Sequence, residues 1–113
     1  MLRLVLVFLI LAISNLALAN GSVSGKVVAV RVDQNGIGMV TFDQPVTGAP
    51  ASCRHPAYAN ALSFDSNTAG GRTIAAAALA AKATGDTVSA YGTGACTIYG
   101  GAWVEDWSYG VVQ

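Results

Sequence analysis

Two cysteines, Cys53 and Cys96, constrain the fold of this chain more than any other feature. A bond between them would close a loop of 44 residues, both ends counted, in a chain of 113. Whether they join depends on the compartment, because cytosolic thiols stay reduced and exported ones pair. The start of the chain speaks to that. Met1-Leu2-Arg3 carries one positive charge, and an almost unbroken apolar run follows from Leu4 to Ile13. Ala17-Leu18-Ala19 ends the stretch in a small-x-small site. That order is the pattern of a secretory leader: the run partitions into the membrane and the small side chains fit the peptidase pocket. Cleavage is expected after Ala19, leaving Asn20 as the new terminus. The run is shorter than the ~20 apolar residues that span a bilayer, so no stable membrane anchor is expected. No cysteine follows the leader to carry a lipid. The expected location is the periplasm or the medium, and the expected state of Cys53 and Cys96 is one disulfide.

Such a bridge is worth roughly 4 kcal/mol on the chain-entropy argument, before any native strain. That is a large share of the stability of a small domain. The rival use of the thiols is metal binding. Two cysteines and the single His55 leave a tetrahedral zinc site unfilled without carboxylate help, so neither metal nor cofactor is expected.

Removing residues 1–19 leaves 94, enough for the single domain expected over 20–113. The mean hydropathy of +0.51 owes much to the leader and does not signal a membrane protein. Arg3 leaves with the leader, so five basic residues (Lys26, Arg31, Arg54, Arg72, Lys82) face six acids. They are scattered, which argues against nucleic acid, where clustered cations supply most of the affinity.

Val23 to Asp33 reads as a strand, with Val28, Val30 and Val32 on one face and Arg31 and Asp33 on the other. Asp33-Gln34-Asn35-Gly36 follows, and Asn-Gly predicts a type I′ hairpin turn. Ile37 to Asp43 returns as the second strand, with Val40 and Phe42 facing one way. Pro45, Gly48 and Pro50 open a loop that leads to Cys53-Arg54-His55-Pro56, where Pro56 keeps His55 extended. Ala61 to Asp65 is a short third strand, with Leu62 and Phe64 together.

Ser66-Asn67-Thr68 offers three good N-caps to an alanine-rich helix over about 69–83, and Gly85 suits its left-handed end. Ile74, Ala77, Ala78 and Ala81 share a face, and small residues there allow close approach to a sheet. Leu79 lies about 140° around the axis from Ile74, so it is either exposed or covered by a second subunit. Thr87 to Tyr91 is the fourth strand. Thr97 to Tyr99 is a candidate continuation, and Ala102 to Val112 is the last strand, bent near Ser108 or Gly110.

The element order β-β-β-α-β-β, with a helix between the third and fourth strands, predicts a mainly β (α+β) domain: a small OB-fold-like barrel with one disulfide. Another α+β sandwich with the same order is the alternative.

The segment from Cys53 to Cys96 carries a further pattern. It has a cysteine, a short strand, a helix ending Ala80-Ala81-Lys82-Ala83-Thr84-Gly85, a Thr87-Val88 strand start, and Gly92-Thr93-Gly94-Ala95-Cys96. This looks like a family of short uncharacterised exported bacterial proteins. More distantly it resembles the B subunits of subtilase cytotoxin, which are pentameric OB-fold lectin subunits. The likeness covers less than half of the mature chain, and none of the toxin's sugar-contacting residues matches a position here. It implies the fold and an oligomer more than a sugar site.

The last strand is the most unusual stretch: Trp103-Val104-Glu105-Asp106-Trp107-Ser108-Tyr109. A regular strand would put Trp103, Glu105, Trp107 and Tyr109 on one face. Rings beside a carboxylate suit a sugar, because the ring face stacks on C–H groups and the acid accepts hydroxyl hydrogens. The competing reading places both tryptophans in the core or a subunit interface, and the energetics of burying large rings favour it. Glu105 and Asp106 are neighbours on a strand and would point to opposite faces, so they would not flank one bond. They are expected to be solvated or paired with arginines. His55, with Arg54 and Tyr58, is a second candidate polar site beside the disulfide. Without a nucleophile elbow it does not make a hydrolase, and a structural or surface histidine is the favoured reading. Gly92-Thr93-Gly94 and Gly70-Gly71 lack nucleotide-loop spacing.

One histidine and few ionisable groups leave little for acid–base catalysis, so no enzyme and no catalytic residue is expected. The leading expectation is an exported binding module, a ring-forming glycan-binding protein like the toxin B subunits. The alternative is an envelope structural, inhibitor or protein-interaction factor without a small ligand. The expected partners are accordingly a glycan or an envelope protein, with further copies of the chain.

Overall fold

A computed structural model describes residues 20–101 and 103–113; the leader expected over residues 1–19 lies outside the described residues. Among the described residues five strands and one α-helix follow in the expected order. They are β1 (Ser22–Val32), β2 (Ile37–Phe42), β3 (Ala61–Asp65), α1 (Ala69–Thr84), β4 (Thr87–Gly92) and β5 (Trp107–Val112). The sheet runs β3-β2-β1-β4-β5, with every neighbouring pair antiparallel. Its two ends meet. Ser63 of β3 forms a parallel bridge with Asp106, the residue just before β5, and the Ser63 N–H donates to Glu105 O at 2.9 Å. That contact curls the sheet into a small, partly open barrel of OB type.

The local signals explain the elements. Thr68 is the cap chosen from the three candidates: its Oγ1 accepts the Gly71 N–H at 2.9 Å. Gly85 ends α1 at φ +74°, its N–H donating to Ala81 O at 2.9 Å. Ala78 and Ala81 are buried against the barrel, which alanine permits because nothing longer would fit so close a sheet. Val40, Phe42, Leu62 and Phe64 fill the interior as their alternation predicts. Leu79, 55% exposed, points away from it.

Two expectations about the first hairpin need correction. The turn is longer than a two-residue Asn-Gly turn. Asp33 N–H donates to Ile37 O at 2.7 Å, Gly36 N–H donates to Asp33 O at 2.9 Å, and Gly36 takes φ +89°. This matches the longer hairpin form that ends in a left-handed glycine. Val28, Val30 and Val32 also fail to act as one core face. The β1–β2 register shifts between Val27 and Ala29, so the interior takes Val23, Val27 and part of Val30, while Val28 and Val32 are exposed. A bulge adds one residue and moves every later side chain to the other face.

The last segment also differs. The strand expected from Ala102 begins only at Trp107, and Thr97 to Tyr99 is not a strand. Residues 93–101 and 103–106 belong to a loop that lies over the outer face of β2 and β3. Its Val104 packs with Met39 and Ala61, flanked by Tyr58 and Tyr99. Side chains replace ladder bonds here: the Asp106 carboxylate accepts the N–H groups of Thr97 and Ile98 at 3.1 Å. Gly100 and Gly101 have φ of +68° and +53°, which ends any extended run. Because the loop covers that face, Ala61 to Phe64 are all buried.

The expected bridge is present. Cys53 ends a short 3-10 turn, Ala51–Cys53, and bonds Cys96 in the loop after β4, with Cα atoms 5.5 Å apart. Among the described residues no helix is long and apolar enough to cross a membrane.

Candidate functional site

The site begins with Pro56. Its fixed φ starts a second 3-10 turn, Pro56–Tyr58, and holds His55 extended at φ −77°, ψ 130°. The His55 ring caps this turn, its Nδ1 accepting the Ala57 N–H at 3.1 Å. In that arrangement the neutral ring carries its proton on Nε2. The backbone then joins the turn to the covering loop: His55 N–H donates to Trp103 O at 3.1 Å, and Arg54 pairs with Val104 in a single bridge. The disulfide at Cys53, one residue before Arg54, ties the segment leading into this turn to the same loop.

The result is an aromatic cluster. His55 lies parallel to Trp103, with ring centroids 4.7 Å apart and planes at 8°. Tyr58 is tilted against both, at 5.5 Å from His55 and 5.8 Å from Trp103. Trp103 nevertheless remains 42% exposed. Beside it, a recess of about 220 Å³ is bounded by Tyr58, Trp103, Tyr99, Met39 and Arg31. A second recess of about 180 Å³, also bounded by Tyr58, is lined by Arg54, His55 and Glu105.

Polar groups converge on the rim of the larger recess. Arg31 Nε donates to Asp33 Oδ1 at 2.8 Å, and its Nη1 reaches the Tyr58 hydroxyl at 3.5 Å. The guanidinium lies 5.8 Å from the centre of the Tyr99 ring. The Tyr99 hydroxyl donates to Asp33 Oδ2 at 2.6 Å. That hydrogen bond, reinforced by Arg31, holds the Asp33 carboxyl below its ordinary range. Burial, with the same carboxylate facing it, pushes the Tyr99 phenol well above its own, so Tyr99 remains a donor. Flat apolar rings beside an arginine, a carboxylate and a phenol can stack a small polar ring and hydrogen-bond its hydroxyls.

The four residues expected on one face are divided. Trp103 joins the aromatic cluster. Trp107 is half-buried and stacks on Phe42 of the interior at 6.0 Å. Tyr109 is exposed and stacks on Tyr91 at 4.6 Å, on the β4–β5 ribbon. Trp103 and Glu105 precede β5, and between Trp107 and Tyr109 a second bulge intervenes: Tyr91 faces Tyr109 but Gly92 faces Trp107, so Ser108 is the extra residue and alternation fails across it.

Among the described residues, Glu105 and Asp106 are neither solvated nor paired with arginines. Both are buried, Glu105 at 1% exposure, and both are held by N–H and O–H donors. Arg54 stays beside His55, with its Nε donating to Ala49 O. His55 and Tyr58 do meet, as the sequence suggested, but as an aromatic stack with Trp103. Arg31, Asp33, Met39 and Tyr99 were not legible as site residues; the only local sign is that Arg31 and Asp33 alternate on one face of a strand. Among the described residues no group of three or more His, Cys, Asp or Glu side chains could hold a metal ion.

Searches with the chain found no match among protein-family models, curated proteins or solved structures.

Proposed function

We propose that this chain is an exported bacterial binding module, made with a leader that is removed after Ala19, whose ligand is a glycan. The observation that carries the reading is the aromatic cluster of His55, Tyr58 and Trp103 beside the Arg31–Asp33–Tyr99 network. It lies on the outer side of β2 under the β4–β5 loop. OB folds use that face and that loop to take oligosaccharides and oligonucleotides. The even charge balance argues for the uncharged class of ligand over nucleic acid. The disulfide supports work in an oxidising compartment. Exposed Leu79 on α1 supports a ring of several copies, which would cover it.

The test is a glycan array followed by titration of tryptophan fluorescence with the best binder. Trp103→Ala should weaken binding at least about tenfold, or about 1.4 kcal/mol. Unchanged affinity in the folded variant would sink the sugar site. Light scattering of the exported protein tests the ring, and a strict monomer argues against it.

A second reading is an envelope protein-interaction or inhibitor factor. What favours it is β5, an uncharged run of Trp107-Ser108-Tyr109-Gly110-Val111-Val112 paired only to β4 along its length. Such an edge suits an extended segment of another protein. One stoichiometric protein pulled from envelope extract, with no array hits, would favour this reading.

A further inference from the structure

Glu105 is a buried carboxylate held almost wholly by backbone. Gly21 N–H donates to both of its oxygens, at 3.1 and 3.0 Å, and Gly94 N–H donates to Oε2 at 2.7 Å. Among the described residues no lysine, arginine or histidine nitrogen lies within 4.0 Å of it; the ion pair found among those residues, Arg31–Asp33, does not involve it. The cradle is closed on two sides. A Cβ at Gly21 would lie 2.2 Å from Glu105 Oε1, and one at Gly92 would lie 2.0 Å from Glu105 Cδ. Backbone bonds hold the gripped segment: Gly92 N–H to Gly21 O at 2.9 Å, and Ser22 N–H to Thr47 O at 2.8 Å. The residue so gripped is the second of the mature chain. Asn20, the first, is exposed. Bond lengths alone keep its α-nitrogen within about 7 Å of the carboxylate.

We infer that leader removal supplies the cation Glu105 lacks: the new α-ammonium of Asn20 pairs with the buried carboxylate and latches the start of β1 to the β4–β5 loop. The inference rests on the cleavage position proposed above. Hydrolysis breaks the Ala19–Asn20 amide. The hydroxyl of the attacking water goes to the Ala19 carbonyl carbon and its proton to the Asn20 nitrogen. The acid so formed then gives its proton to the amine, leaving a carboxylate on Ala19 and an ammonium on Asn20. Before cleavage that nitrogen is a neutral amide and offers no charge. Maturation therefore tightens the domain at the moment it is released from the leader. The other charged or titratable groups around Glu105 are Arg54, His55 and Tyr58 on the neighbouring recess and Asp106 next in sequence. They are common to the cut and capped forms and cancel in a comparison of the two.

The experiment exports the full chain from a bacterial host and maps its N-terminus by mass. The mature protein is then melted beside the same protein acetylated on its α-amine at pH 6.5, where the lysines are protonated and spared. The mature form should melt higher by about 4 °C or more. Pairing raises the amine's pKa, so the gap is full at pH 6.5. It closes as the pH climbs past the ordinary α-amino value of about 8 and through the raised one. Glu105→Gln should remove the gap where it folds, and the acetylation pair reads the contact without any substitution. A start at Asn20 with no gap overturns the inference and leaves the cleavage position standing. An equal gap in Glu105→Gln also overturns it. A start elsewhere overturns the cleavage position and the inference with it.

Discussion

The His55 imidazole lies face to face with the Trp103 indole, 4.7 Å between centroids, across 48 residues of chain. Neither ring reaches the other through a regular strand. The Pro56 turn presents one and the covering loop presents the other, and the disulfide ties the segment just before that turn to the loop.

The two tryptophans should separate in experiment. Trp103→Ala removes a surface ring and should cost under about 1 kcal/mol of stability while weakening binding of the proposed glycan ligand. Trp107→Ala removes a half-buried ring stacked on Phe42 and should cost about 2 kcal/mol or more. Urea unfolding of both variants checks the contrast. Equal losses would mean that Trp103 serves packing and not a ligand.

Cys53→Ser should lower stability by about 2–4 kcal/mol, because the bridge restrains a long loop in the unfolded chain. Calorimetry reads the shift. Thiol titration of the protein, produced through a bacterial export pathway, should find both cysteines blocked.

Asp33 should titrate below the ordinary aspartate value, because the Tyr99 hydroxyl first and Arg31 second favour its charged form. A depressed carboxyl contributes stability above its unfolded pKa and loses it as the pH falls through the folded one. Tyr99→Phe should move the midpoint upward. Carboxyl NMR across acid pH measures both, and an unmoved midpoint would remove the Tyr99 bond from the account.

Neighbouring glycines in the first turn of α1 should respond in opposite directions. A Cβ on Gly71 would lie 1.7 Å from Asp65 O, a backbone atom that cannot swing aside. Gly71→Ala should therefore cost more than about 1 kcal/mol. Gly70 has open space around its Cβ position, so Gly70→Ala should raise stability by about 0.5–1 kcal/mol. Thermal melts of the pair decide it.

Which features were legible follows from their range. The cap at Thr68, the stop at Gly85 and the alternation of Val40 with Phe42 and of Leu62 with Phe64 are local. Each follows from backbone geometry over a few residues, so the sequence carries it directly. The helix after three strands and the pairing of Cys53 with Cys96 were legible for the same reason: order and composition suffice. Alternation also misled, at Val28 to Val32 and across Ser108. A bulge is set by the partner strand, and one extra residue reverses every face beyond it.

By itself, then, the sequence determined the element order, the helix limits, the single bridge and the apolar strands. Only the tertiary structure decided that Glu105 and Asp106 would be buried, because their donors come from Gly21, Ser63, Gly94 and Thr97. It alone gathered Arg31, His55, Tyr58, Tyr99 and Trp103 into one place. It also sharpened the role of the disulfide, which anchors the loop that covers β2 and completes the candidate site. Those residues meet only once the barrel closes at Ser63 and Asp106, and no periodicity along the chain encodes a contact made by closure.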